Sequence, residues 1–202
     1  MVSLARVRIA DESILDAATE VFAGEGYDRA NMDAIAARAG ATKPTLYARF
    51  GSKDELFAAA VRREYALRKA ALFEAYGAGG ELPFRERLHG WTAAYFDFVR
   101  DRPAGFELIS EGERHPASAA VIEQAGREIV DRIAELVLRV SRRDAPLGAR
   151  VVAAMITGML TACAREAARH PGVDLADAAA LCESFLYSAL RGVDPELIEA
   201  VG

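Results

Sequence analysis

Lys43-Pro44-Thr45-Leu46-Tyr47-Ala48-Arg49-Phe50 is the run of this chain whose residue types best suit direct recognition chemistry. Wound as a helix, at about 100° per residue, it turns Leu46 and Phe50 inward and leaves Pro44, Thr45 and Ala48 outward, flanked by Tyr47 and Arg49. Small groups at the centre of an outer face let a helix press deep into a DNA major groove, which is about 12 Å wide. Methyl groups on Thr45 and Ala48 suit thymine, and Lys43, Thr45 and Arg49 are the candidates for reading base edges. Arg38, Tyr47 and Lys53 are the candidates for phosphate contacts. Residues 34–53 hold Arg38, Lys43, Arg49 and Lys53 and no Asp or Glu, a local charge of +4.

Such a face is useful only if neighbouring elements hold it. Asn31 has the chemistry to cap a preceding helix, its side chain accepting a hydrogen bond from a free first-turn amide, and it is counted with the DNA-binding surface. Ile35, Ala36 and Ala39 give that helix an apolar stripe, and Gly40 ends it where a left-handed backbone is cheapest. Thr42 caps the second helix, and Pro44 occupies its first turn, where a missing amide does little harm. Ser52 and Glu55 form a capping box for a third helix. Helices this short cannot bury enough surface alone, so the unit needs partners on both sides. This is the grammar of a helix-turn-helix.

The segment from ILDAATEVFAGEGYDRANMDAIAARAG through ATKPTLYARFGSKDELF resembles the DNA-binding domain of the TetR family of bacterial transcriptional regulators. The resemblance covers about the first third of the chain, is especially close at KPTLYARF, and continues through the GSKDEL junction into the fourth helix. Ala30 and Asn31 stand where a pair of threonines is common, and Ala41 where valine is usual; Asn31 keeps the capping chemistry. The resemblance implies double-stranded operator DNA as a partner, a homodimer built through the helices at 146–170 and 174–192, and a pocket in the later domain for an unknown small-molecule effector.

The net charge of the 202 residues is −5, which looks wrong for a DNA binder until it is divided. Residues 1–69 hold 11 Lys and Arg against 10 Asp and Glu, and residues 70–202 hold 14 against 20, so the acidic excess lies in the later part. Screening over about 8 Å at physiological salt keeps distant acids from cancelling a local basic face. Hydrophobic residues make up 52% and charged residues 27%, which argues against disorder. Cys163 and Cys182 lack metal-ligand spacing and read as reduced thiols. With no signal peptide and no uninterrupted apolar run near the roughly 18 residues a bilayer requires, a cytoplasmic protein without membrane contact is expected. His89, His115 and His170 lie in separate segments outside any H-E-x-x-H pattern, and Gly112 and Pro116 disturb the Glu107, Glu111, His115 spacing, so no metal is expected. No nucleophile elbow or phosphate-binding glycine loop occurs, so neither a cofactor nor enzyme activity is expected.

The remaining chain is helical by period. Residues 1–8 read as a short arm carrying Arg6 and Arg8, terminal arginines of a kind more often solvated than bound, before a helix from about Ile9 to Ala23. A fourth helix from Lys53 to about Tyr76 spans roughly 36 Å. Further helices follow over Pro83–Arg102, around Phe106, from Pro116, from Pro146 to His170 and from Asp174 to Gly192. No stretch alternates at period two, and the expected fold is all-α. It comprises an N-terminal three-helix helix-turn-helix DNA-binding domain over 1–52, a shared connecting helix over 53–76, and a C-terminal helical ligand-binding and dimerisation domain over 77–202. Trp91, Tyr95, Phe98, Phe106, Ile109, Ile122, Met155 and Met159 are the candidates to line an apolar pocket. The expected function is a ligand-responsive regulator, a repressor released from its operator by a small apolar or amphipathic molecule. Two other readings stay open: a helical small-molecule sensor without a repressor role, and an all-α enzyme using the C-terminal cavity.

Overall fold

The computed structural model describes residues 2–78, 82–141 and 144–201; the side chains of residues 2–10, 78, 140 and 141 lie outside the described set, and Arg6 and Arg8 with them. The helices are α1 (Val2–Glu25), α2 (Met32–Arg38), α3 (Lys43–Phe50), α4 (Lys53–Ala78), α5 (Phe84–Asp101), α6 (Pro103–Gly112), α7 (Ala119–Ser141), α8 (Pro146–Ala168), α9 (Leu175–Gly192) and α10 (Pro195–Ala200), with a 3-10 turn at Pro116–Ser118. No strand occurs among the described residues, and the fold is all-α. Two details differ from the sequence reading. The backbone is helical from Val2, so the expected arm forms the opening turns of α1. Asp194 and Pro195 cap and open α10, a helix that the expected end at Gly192 omitted.

The chain divides into two units, Met1–Leu67 with Arg102–Ala125, and Arg68–Asp101 with Gly126–Gly202. Thus α6 and the start of α7, from the middle of the chain, pack with the N-terminal helices. In this first unit Ile14, Ala18 and Phe22 of α1 meet Ile35 of α2, Leu46 of α3 and Leu56, Phe57 and Ala60 of α4, each no more than 1% exposed. Phe22 and Phe57 meet edge to face at 5.0 Å, and Tyr27 closes the cluster 5.0 Å from Phe57. Burial, then a hydrogen bond to Asp54, pushes the Tyr27 phenol up to about 12. His115 lies tilted against Tyr27 with ring centroids 3.8 Å apart and 5.2 Å from Phe57, while its Nδ1 accepts the Ala117 amide at 3.2 Å.

The same unit buries a charge. Glu64 of α4 is fully buried, and a carboxylate out of water is tolerated only when paired and hydrogen-bonded. Arg102 donates to it through Nε and Nη2, both at 2.8 Å, Arg63 donates at 2.7 Å, and the Thr19 hydroxyl donates at 3.4 Å. Burial alone would raise the Glu64 pKa, but the hydrogen bonds from Arg102 and Arg63 outweigh it and hold the carboxyl below the usual glutamate range. Arg102 immediately precedes α6, and a side chain on Gly105 of that helix would put a Cβ 2.2 Å from Glu64 Oε2. The absent side chain at Gly105 is what admits the carboxylate. The network therefore fastens α6 to α1 and α4.

In the second unit α5 buries Leu88, Trp91, Tyr95, Phe96, Phe98 and Val99, a stripe at spacings of three and four. The Tyr95 hydroxyl hydrogen-bonds Thr161 of α8 at 3.0 Å. Ala149, Ala153 and Ala164 are fully buried on α8, so neighbouring helices approach its backbone closely. At Gly148 the approach is closest: a Cβ there would lie 2.0 Å from the Ile198 carbonyl oxygen of α10. By length and composition α8 could cross a bilayer, although its buried alanines, Val152, Ile156 and Leu160 form a face packed within this unit.

Removing one partner of a buried charge network leaves the others desolvated and unmatched. Glu64→Ala is expected to cost about 3–5 kcal/mol of unfolding free energy in urea titrations. Because the folded-state pKa is depressed, this contribution is complete above the ordinary glutamate range and is lost as pH falls through the folded value. The difference between wild type and variant should accordingly shrink on acidification.

Candidate functional site

The α3 helix stands on one fully buried residue, Leu46, with Phe50 half-buried beside it. Its start is set by Thr42, whose Oγ1 accepts the Thr45 amide at 3.3 Å and shares a hydrogen bond with the Thr45 hydroxyl at 2.8 Å. At its end Gly51 takes φ +79, and a Cβ there would collide with the Glu55 carboxylate at 2.2 Å. Ser52 Oγ accepts the Glu55 amide at 3.1 Å and caps α4, and its hydroxyl donates to the Glu55 carboxylate at 3.0 Å; the Ser52 amide donates to the Phe50 carbonyl at 3.0 Å, so only the serine half of the expected capping box forms. Gly40, with φ +64, makes the turn between α2 and α3. Lys43, Pro44, Tyr47, Ala48 and Arg49 are exposed and Thr45 half-exposed, so six of the nine DNA-binding candidates lie on α3 away from its buried Leu46.

The other three lie off that helix. Asn31 accepts the Asp33 amide at 2.9 Å and caps α2. Lys53 donates to the Asp28 carbonyl at 3.3 Å and lies 4.5 Å over the Tyr27 ring, which gives it a structural task as well. Arg38 pairs with Glu20.

The basic face carries counter-charges that a count over residues 34–53 omits. Lys43 pairs with Asp33 at 2.9 Å, Arg49 with Asp11, and Arg38 with Glu20. The hydrogen bond to Asp33 raises the Lys43 pKa, so the ammonium stays charged. Exposed pairs like these hold long side chains in position yet contribute little stability, typically about 0–1 kcal/mol. A phosphate or a base edge can replace the carboxylate.

A second feature lies within the second unit, a cavity of about 520 Å³. Phe84, Leu88 and Trp91 of α5 form one wall, and Ile133, Leu136 and Val137 of α7 another. Val152 and Ile156 of α8, Tyr187, Leu190 and Arg191 of α9, and Val193, Pro195 and Ile198 complete it. The walls are apolar except where Arg191 donates to the Tyr187 hydroxyl at 3.1 Å. Arg85 also lies 5.2 Å over the Tyr187 ring, so cationic groups flank this side.

Of the eight residues expected to line a pocket, Trp91 alone lines this cavity. Tyr95 is buried with its hydroxyl on Thr161, and Phe98 is core. Phe106 and Ile109 are core residues of α6 in the first unit, where Ile122 also lies, against Gly112. Met155 is 66% exposed and Met159 half-buried on α8. The difference between the expected residues and the lining of this cavity has a physical cause: apolar period identifies an inward face but not the helices it meets. The α10 contribution was detectable, because Asp194 followed by Pro195 is an N-cap and first-turn signature. Glu64 and its arginines carried no sequence signal beyond charged residues at helical spacing.

Residues 14–60 match the family model described as "Bacterial regulatory proteins, tetR family". The chain is similar to a TetR-like transcriptional regulator from Rhodococcus sp. RHA1, with 30% identity and a TM-score of 0.72 over 91% of this chain and 97% of that one. The chain belongs to the TetR family. It is also 36% identical over 134 residues to the HTH-type transcriptional activator FasR of Mycolicibacterium smegmatis, a stretch covering 65% of this chain and 60% of that protein's length. The FadR regulator of Bacillus subtilis, solved in complex with stearoyl-CoA, shares the fold at a TM-score of 0.74 and 17% identity, covering 91% of this chain and 99% of that one.

If the ion pairs around α3 are weak tethers, replacing an acid should scarcely affect folding. Asp33→Asn is expected to shift the unfolding free energy by less than about 1 kcal/mol, read from urea midpoints at an unchanged slope. A larger loss would show that Asp33 holds the fold together.

Proposed function

We propose that this TetR-family regulator reads operator DNA with α3 as a homodimer and leaves it when an amphipathic effector fills the cavity among α5, α7, α8, α9 and α10. The observation that carries the reading is the outer face of α3: small Pro44 and Ala48 exposed at its centre, with Lys43, Tyr47 and Arg49 at its margins. Two such helices related by a two-fold axis address half-sites about 34–36 Å apart. The apolar surface of α8 and α9 supports the dimer, because Met155, Leu181 and Phe185 are each more than half exposed in the single chain. In this reading residues 1–67 and 102–125 read DNA, and the second unit binds the effector and the partner subunit.

The cavity falls within the ordinary size range of small-molecule sites, about 300–1,000 Å³. Aliphatic and aromatic walls with Arg191 and Tyr187 at one side favour a long apolar body ending in an anion. The stearoyl-CoA bound to the Bacillus subtilis FadR has that character and supports an acyl thioester or carboxylate here. Effector occupancy has three covalent routes to the reading unit: the chain passes between units within α4, at the start of α6 and within α7. A ligand acts only by its differential affinity for the reading and non-reading states, so tightness alone is insufficient. The M. smegmatis relative is named an activator, while the sequence suggested a repressor. A protein released from DNA by its effector represses where its site overlaps a promoter and activates where it recruits polymerase.

Fluorescence anisotropy on the chain's own upstream DNA tests the proposal. Wild type should bind in excess competitor, and stearoyl-CoA should release it. Arg49→Ala should lose about 1–3 kcal/mol of discrimination between the site and competitor. Ile156→Trp, which fills the cavity, should keep DNA binding and lose the release. Equal affinity for site and competitor would defeat the DNA reading; release of the Ile156→Trp protein at wild-type ligand concentrations would defeat the cavity assignment.

A further inference from the structure

The chain has two cysteines, nineteen positions apart on different helices, and the fold brings them together. Cys163 of α8 donates its S–H to the Ala178 carbonyl of α9 at 3.6 Å, one turn before Cys182. Within α9 the Ala178 carbonyl faces the turn that carries Cys182 four residues on, so Cys163 Sγ lies beside Cys182 across the α8–α9 seam. Buried Ala164, Ala167 and Ala178 line the same seam, and small side chains there allow the close backbone approach that a disulfide demands. We infer that Cys163 and Cys182 form a hydroperoxide-oxidisable pair, whose oxidised state is an intrachain disulfide tying α8 to α9.

Accessibility and acidity set the order of events. Cys163 is half-buried, whereas Cys182 is 3% exposed. Burial first, and then the neighbouring Cys163, pushes the Cys182 thiol up to about 12, so it keeps its proton at neutral pH and does not react first. Cys163 Sγ, as the thiolate, attacks the O–O bond of the peroxide; it becomes a sulfenic acid and the other oxygen leaves as water after protonation. Cys182 Sγ then attacks the sulfenic sulfur, an S–S bond forms, the S–O bond breaks, and a second water leaves with the Cys182 proton. In sum, two thiols lose two electrons and two protons, and one peroxide becomes two waters. The chemistry stands independently of the DNA-binding reading. Its regulatory consequence would follow from its place, since the link joins the two helices proposed to carry the dimer.

The test treats the full chain with stoichiometric hydrogen peroxide at neutral pH, quenches it in denaturant with an alkylating reagent, and measures intact mass and linked peptides. Expected is a chain that has lost the mass of two hydrogens, takes up no alkylating groups, yields a Cys163–Cys182 linked peptide, and returns to two alkylatable thiols with dithiothreitol. Cys182→Ser should instead stop at a dimedone-reactive sulfenic acid on Cys163, and Cys163→Ser should stay unoxidised. Two thiols that remain alkylatable after peroxide, a disulfide between chains, or sulfinic acid in place of the link would each overturn the inference. The wild-type measurement alone decides it, even where a serine variant folds poorly.

Discussion

A carboxylate with no solvent contact is the constraint on which the first unit depends. Glu64 must find cationic donors or stay neutral, and Arg63 and Arg102 supply them from α4 and from the residue before α6. This requirement brings Arg102 and Gly105 against α4 and Thr19 of α1 against the same carboxylate. A segment distant in sequence thereby becomes part of the unit that carries α3. A buried ion pair is not a generous source of stability, since desolvation offsets much of the attraction. What it does supply is discrimination among arrangements: a slipped α6 would leave a buried charge unpaired, whereas a slipped apolar contact would merely repack.

Electrostatics act differently at the surface. Four cations within residues 34–53 suggest a strongly positive patch, but Asp11, Glu20 and Asp33 approach three of them from outside that interval. The pairs lie where salt screens them and water competes, so they orient the cations more than they stabilise the fold. An operator phosphate can take over a place already occupied by a carboxylate. Such pre-paired cations also lower the non-specific pull on DNA, in keeping with a chain whose net charge is negative.

Local chemistry was legible in the sequence and long-range pairing was not. Asn31, Thr42, Ser52 and Asp174 form the caps that their types and positions announce, because capping involves residues only two or three apart. The outward set on α3 follows from helical period alone, with Leu46 as its buried opposite. The cavity walls follow from tertiary assembly. Ile133, Leu136 and Val137 have the same apolar period as Phe106 and Ile109, yet the first three face the cavity while the other two are core in another unit. Glu64 and its arginines are likewise ordinary helix charges until the chain folds. The sequence therefore carried the fold class and the helix-turn-helix, while the buried charge, the counter-charges and the cavity walls depend on tertiary assembly.

These elements make one account: a helix-turn-helix held by caps, a paired buried charge and an aromatic cluster presents a small-residue face, and the cavity proposed to take the effector lies in a separate unit. Its central claim is that α3 reads sequence rather than merely presenting charge. Selection of binding sites from a random DNA pool tests this most directly, with wild type and Arg49→Ala compared at equal salt. The account predicts that wild type enriches a two-fold-symmetric site and that the variant loses preference at defined symmetric positions. A wild-type pool without enrichment, or the same enriched site for both proteins with preference undiminished at every position, would contradict it.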